Sequence, residues 1–304
     1  MVRTAITTIG NLYLGHRRRF KLWGLLVLVT LAIFPLRQIL VDAGLIALAP
    51  EALSTGVLLA VFLAALACEY MDSSLGMGYG TTLTPLLLLA GFEPLQIVPA
   101  VLFSELLTGL AAGAMHHRDG NLDLPSDRQA RRTLMLLAML SAVGAIGAVA
   151  IAVKISAFWF SLSIVTIVLA MGLVTLVTAR RRIAYRPGAI LAVGLVAAFN
   201  KGLSGGGYGP LVTSGQLVSG VPAKSAVAIT SIAEALTCLV GLSAYLVFGG
   251  AIDWSLTLPL VAGALLSVPL ATATVKGLPE NWLRRAVGGM TLILGLVLLA
   301  KLLA

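Results

Sequence analysis

Residues 203–210 read Leu-Ser-Gly-Gly-Gly-Tyr-Gly-Pro, and this stretch decides how the chain folds. Strongly apolar runs flank it at 189–199 and 211–221. Five of its eight residues are Gly or Pro, which break a helix interior or leave it weakly supported. A break at membrane depth leaves backbone N–H and C=O groups without helical partners, and lipid cannot satisfy them. The pattern therefore predicts a break that is buried in protein or faces a wet cavity, and a functional site at that break.

The same pattern occurs earlier in the chain, where residues 76–80 read Gly-Met-Gly-Tyr-Gly. Gly76 and Gly205 are 129 residues apart, and so are Gly80 and Gly209. An offset that is one residue longer relates residues 120–123 to residues 250–253. The sequence thus predicts an internal duplication in which each half carries its own broken helix. The constant offset also pairs Thr84 with Thr213, Gly91 with Gly220, Glu105 with Glu234 and Thr108 with Thr237.

The composition is that of an integral membrane protein. The 304 residues are 59% hydrophobic and only 11% charged, whereas a soluble domain carries about 25% charged residues. The mean hydropathy is +1.02. The net charge of +9 lies mostly in short loops, which suits anionic lipid headgroups and the positive-inside rule. We therefore expect a lipid bilayer and no nucleic acid as the partner. Two cysteines in apolar runs, Cys68 and Cys238, provide no disulfide framework.

Apolar segments of nearly membrane-spanning length recur along the chain. A basic segment at 16–21 precedes a first predicted membrane helix at 22–39, with the N-terminus in the cytoplasm; a signal peptide cleaved near 47–49 is the alternative. Two runs at 83–91 and 211–220 follow the glycine-rich breaks and are too short to cross a core of about 30 Å, so they are predicted half-helices. Whether they are re-entrant or crossing stays open. The longer runs lie at 53–70, 95–115, 134–153, 158–178, 189–199, 221–248, 256–275 and 286–303.

Loop charges predict the topology. Basic loops around 117–132, 180–186 and 276–285 belong in the cytoplasm, and the charge-poor links near 42–51, 154 and 249–253 then fall outside. Equivalent elements of the two halves run in opposite directions, so we predict an all-α polytopic fold of the cell (inner) membrane. It is an inverted repeat whose half-helices meet near the midplane. The predicted units are residues 1–52 (basic segment and additional helix), 53–187 (first repeat) and 188–304 (second repeat).

The predicted binding site is built around the two breaks. Half-helix N-termini carry partial positive charge and free N–H groups, and glycine lets a ligand approach the backbone. Lys201 would attract an anion there, or pair with Asp72, its repeat counterpart. The glycines could instead serve close packing of helices. The residues predicted to bind substrate are Ser73, Ser74, Gly76, Gly78, Tyr79, Gly80, Asn200, Lys201, Ser204, Gly205, Gly206, Gly207 and Tyr208.

Three carboxyl groups are candidates for coupling: Glu105, Glu234 and Asp72. A carboxylate in hydrocarbon is costly and tends to be protonated or paired. Proton carriage is one interpretation, and a hydrogen bond that fixes helix packing is the other. The sequence contains no metal-ligand cluster, phosphate-binding loop or dinucleotide fingerprint, so we expect neither a metal nor a cofactor.

The two glycine-rich stretches, together with His-Arg-Asp-Gly-Asn-Leu-Asp at 117–123, resemble the sulfite exporter TauE/SafE family, also called the toluenesulfonate uptake permease family. The resemblance spans about residues 53–303. The first stretch departs from the usual Gly-Gly-Gly by having Met77, which could reshape that side of a site. The resemblance implies transport of a sulfur-containing or other small organic anion, such as sulfite, a sulfonate or sulfoacetate. It leaves open which of them, and whether the flux is import or export.

The function we expect is secondary transport of a small anion held between the two breaks. An uncoupled anion channel using the same backbone site is the first alternative. An intramembrane enzyme is the second, but Ser204 lacks a membrane-embedded histidine partner, because all three histidines lie at or beyond predicted interfaces. The coupling ion and the oligomeric state stay open.

Overall fold

The computed structural model describes residues 53–118, 120, 122, 126–178, 187–218, 223–248, 250–274 and 280–303. Regular structure within these ranges is entirely α-helical, as the sequence predicts. The membrane helix predicted at 22–39 lies outside the described residues. The ten helices are α1 (Thr55–Leu75), α2 (Tyr79–Leu89), α3 (Pro94–Arg118), α4 (Arg128–Ala152), α5 (Ala157–Thr178), α6 (Pro187–Ser204), α7 (Tyr208–Val218), α8 (Ala223–Val247), α9 (Trp254–Thr274) and α10 (Glu280–Leu303).

Five of these helices, α1, α3, α4, α8 and α9, are long and apolar enough to cross a membrane. Large apolar side chains also point outward: Met139 on α4, Trp159 on α5 and Ile293 on α10 are 72%, 62% and 63% exposed. An apolar surface of this kind is unfavourable in water and suits contact with lipid tails. The chain is therefore a multi-pass membrane protein.

Two helices extend further than the apolar runs predict. α1 continues to Leu75 and α6 to Ser204, so the polar residues at the ends of both runs remain helical. Each helix end contains a hydroxyl that bonds one turn back: Ser73 Oγ donates to Glu69 at 2.5 Å, and Ser204 Oγ donates to the Asn200 carbonyl at 2.8 Å. Such back-bonding satisfies polar side chains locally, which lets a buried helix retain them.

Both breaks have the same construction. α1 ends at Gly76, whose φ of 68° is left-handed, and α6 ends at Gly205, whose φ is 71°. Glycine takes this conformation at little cost, and it closes a helix by directing the N–H back to the preceding turn. The N–H of Gly76 donates to the Asp72 carbonyl at 2.6 Å, and that of Gly205 to the Lys201 carbonyl at 2.9 Å. The helices that follow, α2 and α7, have 11 residues each, or about 16 Å of rise.

Helix packing follows one scheme in both halves. α1 packs on α9 and α6 packs on α4; α3 packs on α9 and α8 packs on α4; α2 packs on α10 and α7 packs on α5. If each helix of the set α1–α5 is replaced by the helix five places later, and the reverse, the first contact of each pair becomes the second. The α3–α8 and α5–α10 contacts are unchanged by this exchange. α3, α8 and α9 are the most buried of the five long apolar helices. Of these three, α3 and α8 are repeat-equivalent helices that pack on each other, and they bring the two halves together.

The two repeat-equivalent loops lie at opposite ends of α3. Gln96, in the first turn of α3, donates from Nε2 to Asp253 Oδ2 at 3.2 Å, which places the loop before α9 at that end. Gly120, the repeat mate of Gly250, follows the last residue of α3. Because α3 has 25 residues, the two ends are about 37 Å apart.

This placement predicts the result of a labelling experiment. Single cysteines introduced at Asn121 and at Ala251, in a chain whose buried Cys68 and Cys238 are replaced by alanine, should react with an impermeant thiol reagent from opposite sides of the membrane. Labelling of both positions from one side would contradict the arrangement. Blocking one face before lysis provides the internal control.

Candidate functional site

The two breaks cross in direct backbone contact. A Cβ added to Gly80 would stand 1.8 Å from the carbonyl oxygen of Gly205, and one added to Gly209 would stand 2.3 Å from that of Gly76. A Cβ on Gly206 would lie 2.6 Å from the carbonyl carbon of Gly80. Gly80 and Gly209 are repeat mates, as are Gly76 and Gly205, so the first two contacts are reciprocal. Glycine at these positions lets one main chain reach the other.

In this conformation the predicted ligand position between the glycines is filled by the opposite backbone. A hydrogen bond adds to the contact, because Thr213 Oγ1 donates to the Gly76 carbonyl at 2.7 Å. Direct contact of a substrate with Gly80 or Gly206 would require the two breaks to separate, and it stays a prediction. The close-packing role, which the sequence offered as the alternative, is the one seen here.

Lys201 lies in the last turn of α6 and is fully buried. Its ammonium donates to Glu234 Oε1 at 2.8 Å and to Glu105 Oε2. Both carboxyl groups are buried, at 5% and 3% exposure. α3 contributes Glu105 and α8 contributes Glu234, so one cation from the second half joins the repeat-equivalent acids of both halves.

Lys201 does not pair with Asp72, which was the alternative to anion binding that the sequence left open. Asp72 Oδ1 instead accepts a hydrogen bond from the N–H of Tyr79, the first residue of α2, at 3.3 Å. The reason is side-chain length: the short aspartate reaches the start of its own half-helix, whereas the long lysine extends to α3 and α8. The constant offset identified equivalent positions, but equivalent positions need not touch.

The N-terminus of α2 is already occupied by carboxylates of the protein. Tyr79 N–H donates to Asp72, and Gly80 N–H donates to Glu105 Oε1 at 3.3 Å. The first N–H groups of a helix carry partial positive charge and favour an anionic partner. In the described conformation the first N–H groups of α2 thus have Asp72 and Glu105 as partners, and binding of a substrate anion there stays a prediction.

The remaining predicted residues are all buried around the crossing, and several of their hydroxyls are satisfied locally. Ser74 Oγ donates to the Met71 carbonyl at 3.1 Å. Ser204 Oγ, besides its bond to Asn200, accepts from the N–H of Gly206 at 3.1 Å. Ser204 Oγ therefore bonds main-chain groups at the end of α6.

The geometry is that of a buried polar centre in a membrane bundle, and the comparisons with known proteins agree with it. The family described as sulfite exporter TauE/SafE matches residues 60–298. The chain belongs to this family. It is also similar to the probable membrane transporter protein YtnM of Bacillus subtilis (strain 168), with 26% identity over 240 residues that cover 74% of this chain and 77% of that protein. No solved structure matches it.

Membership of the TauE/SafE family makes the chain a membrane transporter with a small-molecule substrate. The resemblance stated from the two glycine-rich stretches is confirmed. Within the described parts of this family member, no cluster of His, Cys, Asp or Glu is arranged to hold a metal ion.

One acid of the centre was not among the predicted site residues. Glu69 is buried on α1, where Oε1 accepts from Ser73 and Oε2 accepts from Thr108 Oγ1 at 3.1 Å. Its counterpart at the repeat offset is Ala198, so the duplication gave no signal for it. Its position inside an apolar run, within a turn of Ser73, was the signal that could have marked it.

The glycine crossing predicts that Gly80→Ala and Gly206→Ala destabilise the folded transporter by at least about 2 kcal/mol, because the added methyl meets opposite backbone that cannot rotate away. Gly147→Ala is the matched control: a Cβ at Gly147, a helical glycine of α4, has no neighbour within 4 Å and gains helix propensity. Thermal unfolding of the purified protein checks this. Equal stability of all three variants would show that the breaks are not packed as described.

The ion pairs predict a specific pattern of rescue. Lys201→Met leaves two buried carboxylates without their cation and should cost about 3–5 kcal/mol in unfolding free energy. Glu105→Gln in the same chain should restore part of that loss, whereas Asp72→Asn should restore less. The unfolding midpoints of the two double variants measure the rescue. Equal rescue by Asp72→Asn and by Glu105→Gln would favour a pairing of Lys201 with Asp72.

Proposed function

We propose that this TauE/SafE family member is a secondary transporter of a small sulfur-containing or organic anion of the sulfite or sulfonate type. The observation that carries the proposal is the fully buried Lys201, joined to one carboxylate from each half beside the crossing of the two breaks. Charged side chains inside a membrane protein are costly, and they are retained chiefly where substrates, ions or protons are handled. Lys201 supplies the positive charge that a desolvated anion needs.

An inverted repeat supplies the means of alternating access. The exchange symmetry of the helix contacts supports it, as does the placement of the equivalent loops at opposite ends of α3. We propose residues 53–187 and 188–304 as the two units, in the cell (inner) membrane with the N-terminus in the cytoplasm. The centre lies where the units meet, and rocking of one unit against the other would open it to each side in turn.

Proton movement accompanies the anion in this proposal. With Glu105 and Glu234 both ionised, their charges exceed that of Lys201 by one. A further negative charge entering a low-dielectric centre is strongly unfavourable unless a carboxylate takes up a proton. We propose Glu105, Glu234 and Asp72 as the acids that respond. The ion pairs of Lys201 with Glu105 and Glu234 hold α3, α6 and α8 together when no anion is present.

Transport by purified protein in liposomes tests the function. Wild-type protein should accumulate radiolabelled sulfite or a sulfonate against its own gradient when a pH gradient is imposed, and collapse of the pH gradient with a protonophore should abolish the accumulation. Liposomes without protein give the background. An anion channel would equilibrate the label and never concentrate it, so equilibration that ignores the pH gradient would contradict coupled transport.

Glu105→Gln and Glu234→Gln extend that test. At least one variant should still exchange labelled substrate across the membrane while losing the response to the pH gradient, because exchange needs the anion site but not the proton. Wild-type responses in both variants would show that the glutamates only hold the helices together.

A further inference from the structure

Glu105 is the one acid of the centre whose two carboxylate oxygens both contact strongly electropositive groups. Oε1 accepts from the N–H of Gly80 at the start of α2, and Oε2 accepts from the Lys201 ammonium. The side chain is 3% exposed. Its carboxylate therefore makes the contacts that a transported oxyanion would be expected to make at a half-helix N-terminus next to a buried lysine.

A second, independent observation concerns Thr84 in the same half-helix. Its hydroxyl is fully buried and, like those of Thr81 and Thr82 on the same helix, has no hydrogen-bond partner among the described residues. It lies at the crossing, 3.3 Å from the point where a Cβ would stand on Gly205. Its repeat mate Thr213 has the same orientation toward Gly76 and does donate to that residue's carbonyl. A buried donor left unused is unfavourable, and here only one of two equivalent donors is unused.

We propose that Glu105 holds the place of the substrate's anionic group, and that the substrate replaces it when Glu105 takes up a proton. This inference rests on the proposed function. The entering group contacts Lys201 Nζ and the Gly80 N–H, and Glu234 keeps its contact with Lys201 at 2.8 Å, so the cation is never left alone. One anion and one proton enter together, and the net charge of the centre does not change.

The free hydroxyl of Thr84 indicates which class of anion fits. A carboxylate has two oxygens, and Glu105 uses both of them on Gly80 and Lys201. A sulfonate or sulfite group has three oxygens, one acceptor more than the Glu105 carboxylate has. In this proposal the third oxygen accepts from Thr84 once the two breaks separate. The centre would therefore prefer a three-oxygen sulfur headgroup to a carboxylate of similar size, because only the former has an acceptor left for this donor.

The other titratable groups near Glu105 do not repeat its pair of contacts. Asp72 accepts from the Tyr79 N–H, and Glu69 accepts from two hydroxyls. Cys238 Sγ lies 3.9 Å from Glu105 Oε2. Among the residues that the structure describes, the titratable groups that interact electrostatically with Glu105 are Cys68, Glu69 and Asp72 on α1, Tyr79 on α2, Lys201 on α6, and Glu234 and Cys238 on α8.

Calorimetric titration of the purified full chain with methanesulfonate tests the proposal, since this probe stays a monoanion at every working pH. Titrations in buffers of different ionisation enthalpy give the protons taken up per anion bound. Wild type should take up about one proton, and its affinity should fall about tenfold per pH unit while Glu105 is ionised in the free protein. Glu105→Gln should bind with near-zero uptake and a flat pH dependence. Glu93→Gln, at an exposed acid just before α3, is the matched control and should retain the uptake.

Thr84→Val, which preserves the shape of the side chain, should weaken methanesulfonate roughly tenfold or more and leave acetate unaffected. Failure of wild type to bind both methanesulfonate and sulfite would contradict the proposed function and this inference with it. Binding without proton uptake by wild type, or uptake unchanged in Glu105→Gln, would overturn this inference alone. If Glu105→Gln does not fold, binding without proton uptake by wild type still overturns the inference. Glu105→Asp then takes the place of that variant, and a pH dependence of binding identical to that of wild type would overturn the inference too.

Discussion

A lysine ammonium with no access to water has to be neutralised by the protein around it, and the centre of this transporter is built to neutralise Lys201. The two carboxylates that do so come from α3 and α8, the helices at the middle of the bundle. Their approach to a residue at the end of α6 requires α3, α6 and α8 to converge on one point. Buried charge pairs contribute little net stability compared with apolar packing, so their presence here indicates a role in function.

Convergence at that point depends in turn on glycine. Gly80 and Gly206 have opposite backbone where a side chain would stand, so the breaks can cross only because neither residue has a Cβ. The crossing places the start of α2 beside the end of α6. It also places the start of α2 beside Glu105 on α3. The main-chain contact, the N-terminus of α2 and the ion pairs of Lys201 are thus joined through Gly80 and Glu105. This coupling is what a transporter needs if ligand charge is to move helices.

Much of this could be predicted from sequence. The offset that relates Gly76 to Gly205 identified two equivalent breaks, and the composition indicated a helical membrane protein. The partner of Lys201 could not be read the same way, because an offset relates equivalent positions and carries no information about which side chains meet across an axis. Glu105 and Glu234 had no visible partner in the sequence for the same reason. Glu69 stands out in the sequence as an acid inside an apolar run, but it was not assigned to the site because its repeat equivalent is Ala198, which has no polar side chain.

The role of the glycines shows a different limit. A Gly-rich break predicts that something approaches the backbone closely, but a ligand and another main chain impose the same requirement on Gly80 and Gly206. A ligand and a second main chain could be distinguished as the neighbour of these glycines only after the positions of both breaks were known. The free hydroxyl of Thr84 is likewise invisible in sequence, since Thr213 occupies the equivalent position and its hydroxyl is bonded.

An experimental structure of the protein with a sulfonate bound would show most directly whether the substrate replaces the Glu105 carboxyl group. We expect the sulfonate oxygens to lie within hydrogen-bonding distance of Lys201 Nζ and the Gly80 N–H. The Glu105 carboxyl group should be displaced from both, and Glu234 should still contact Lys201. A bound sulfonate elsewhere in the bundle, with Glu105 still bridging Gly80 and Lys201, would contradict it.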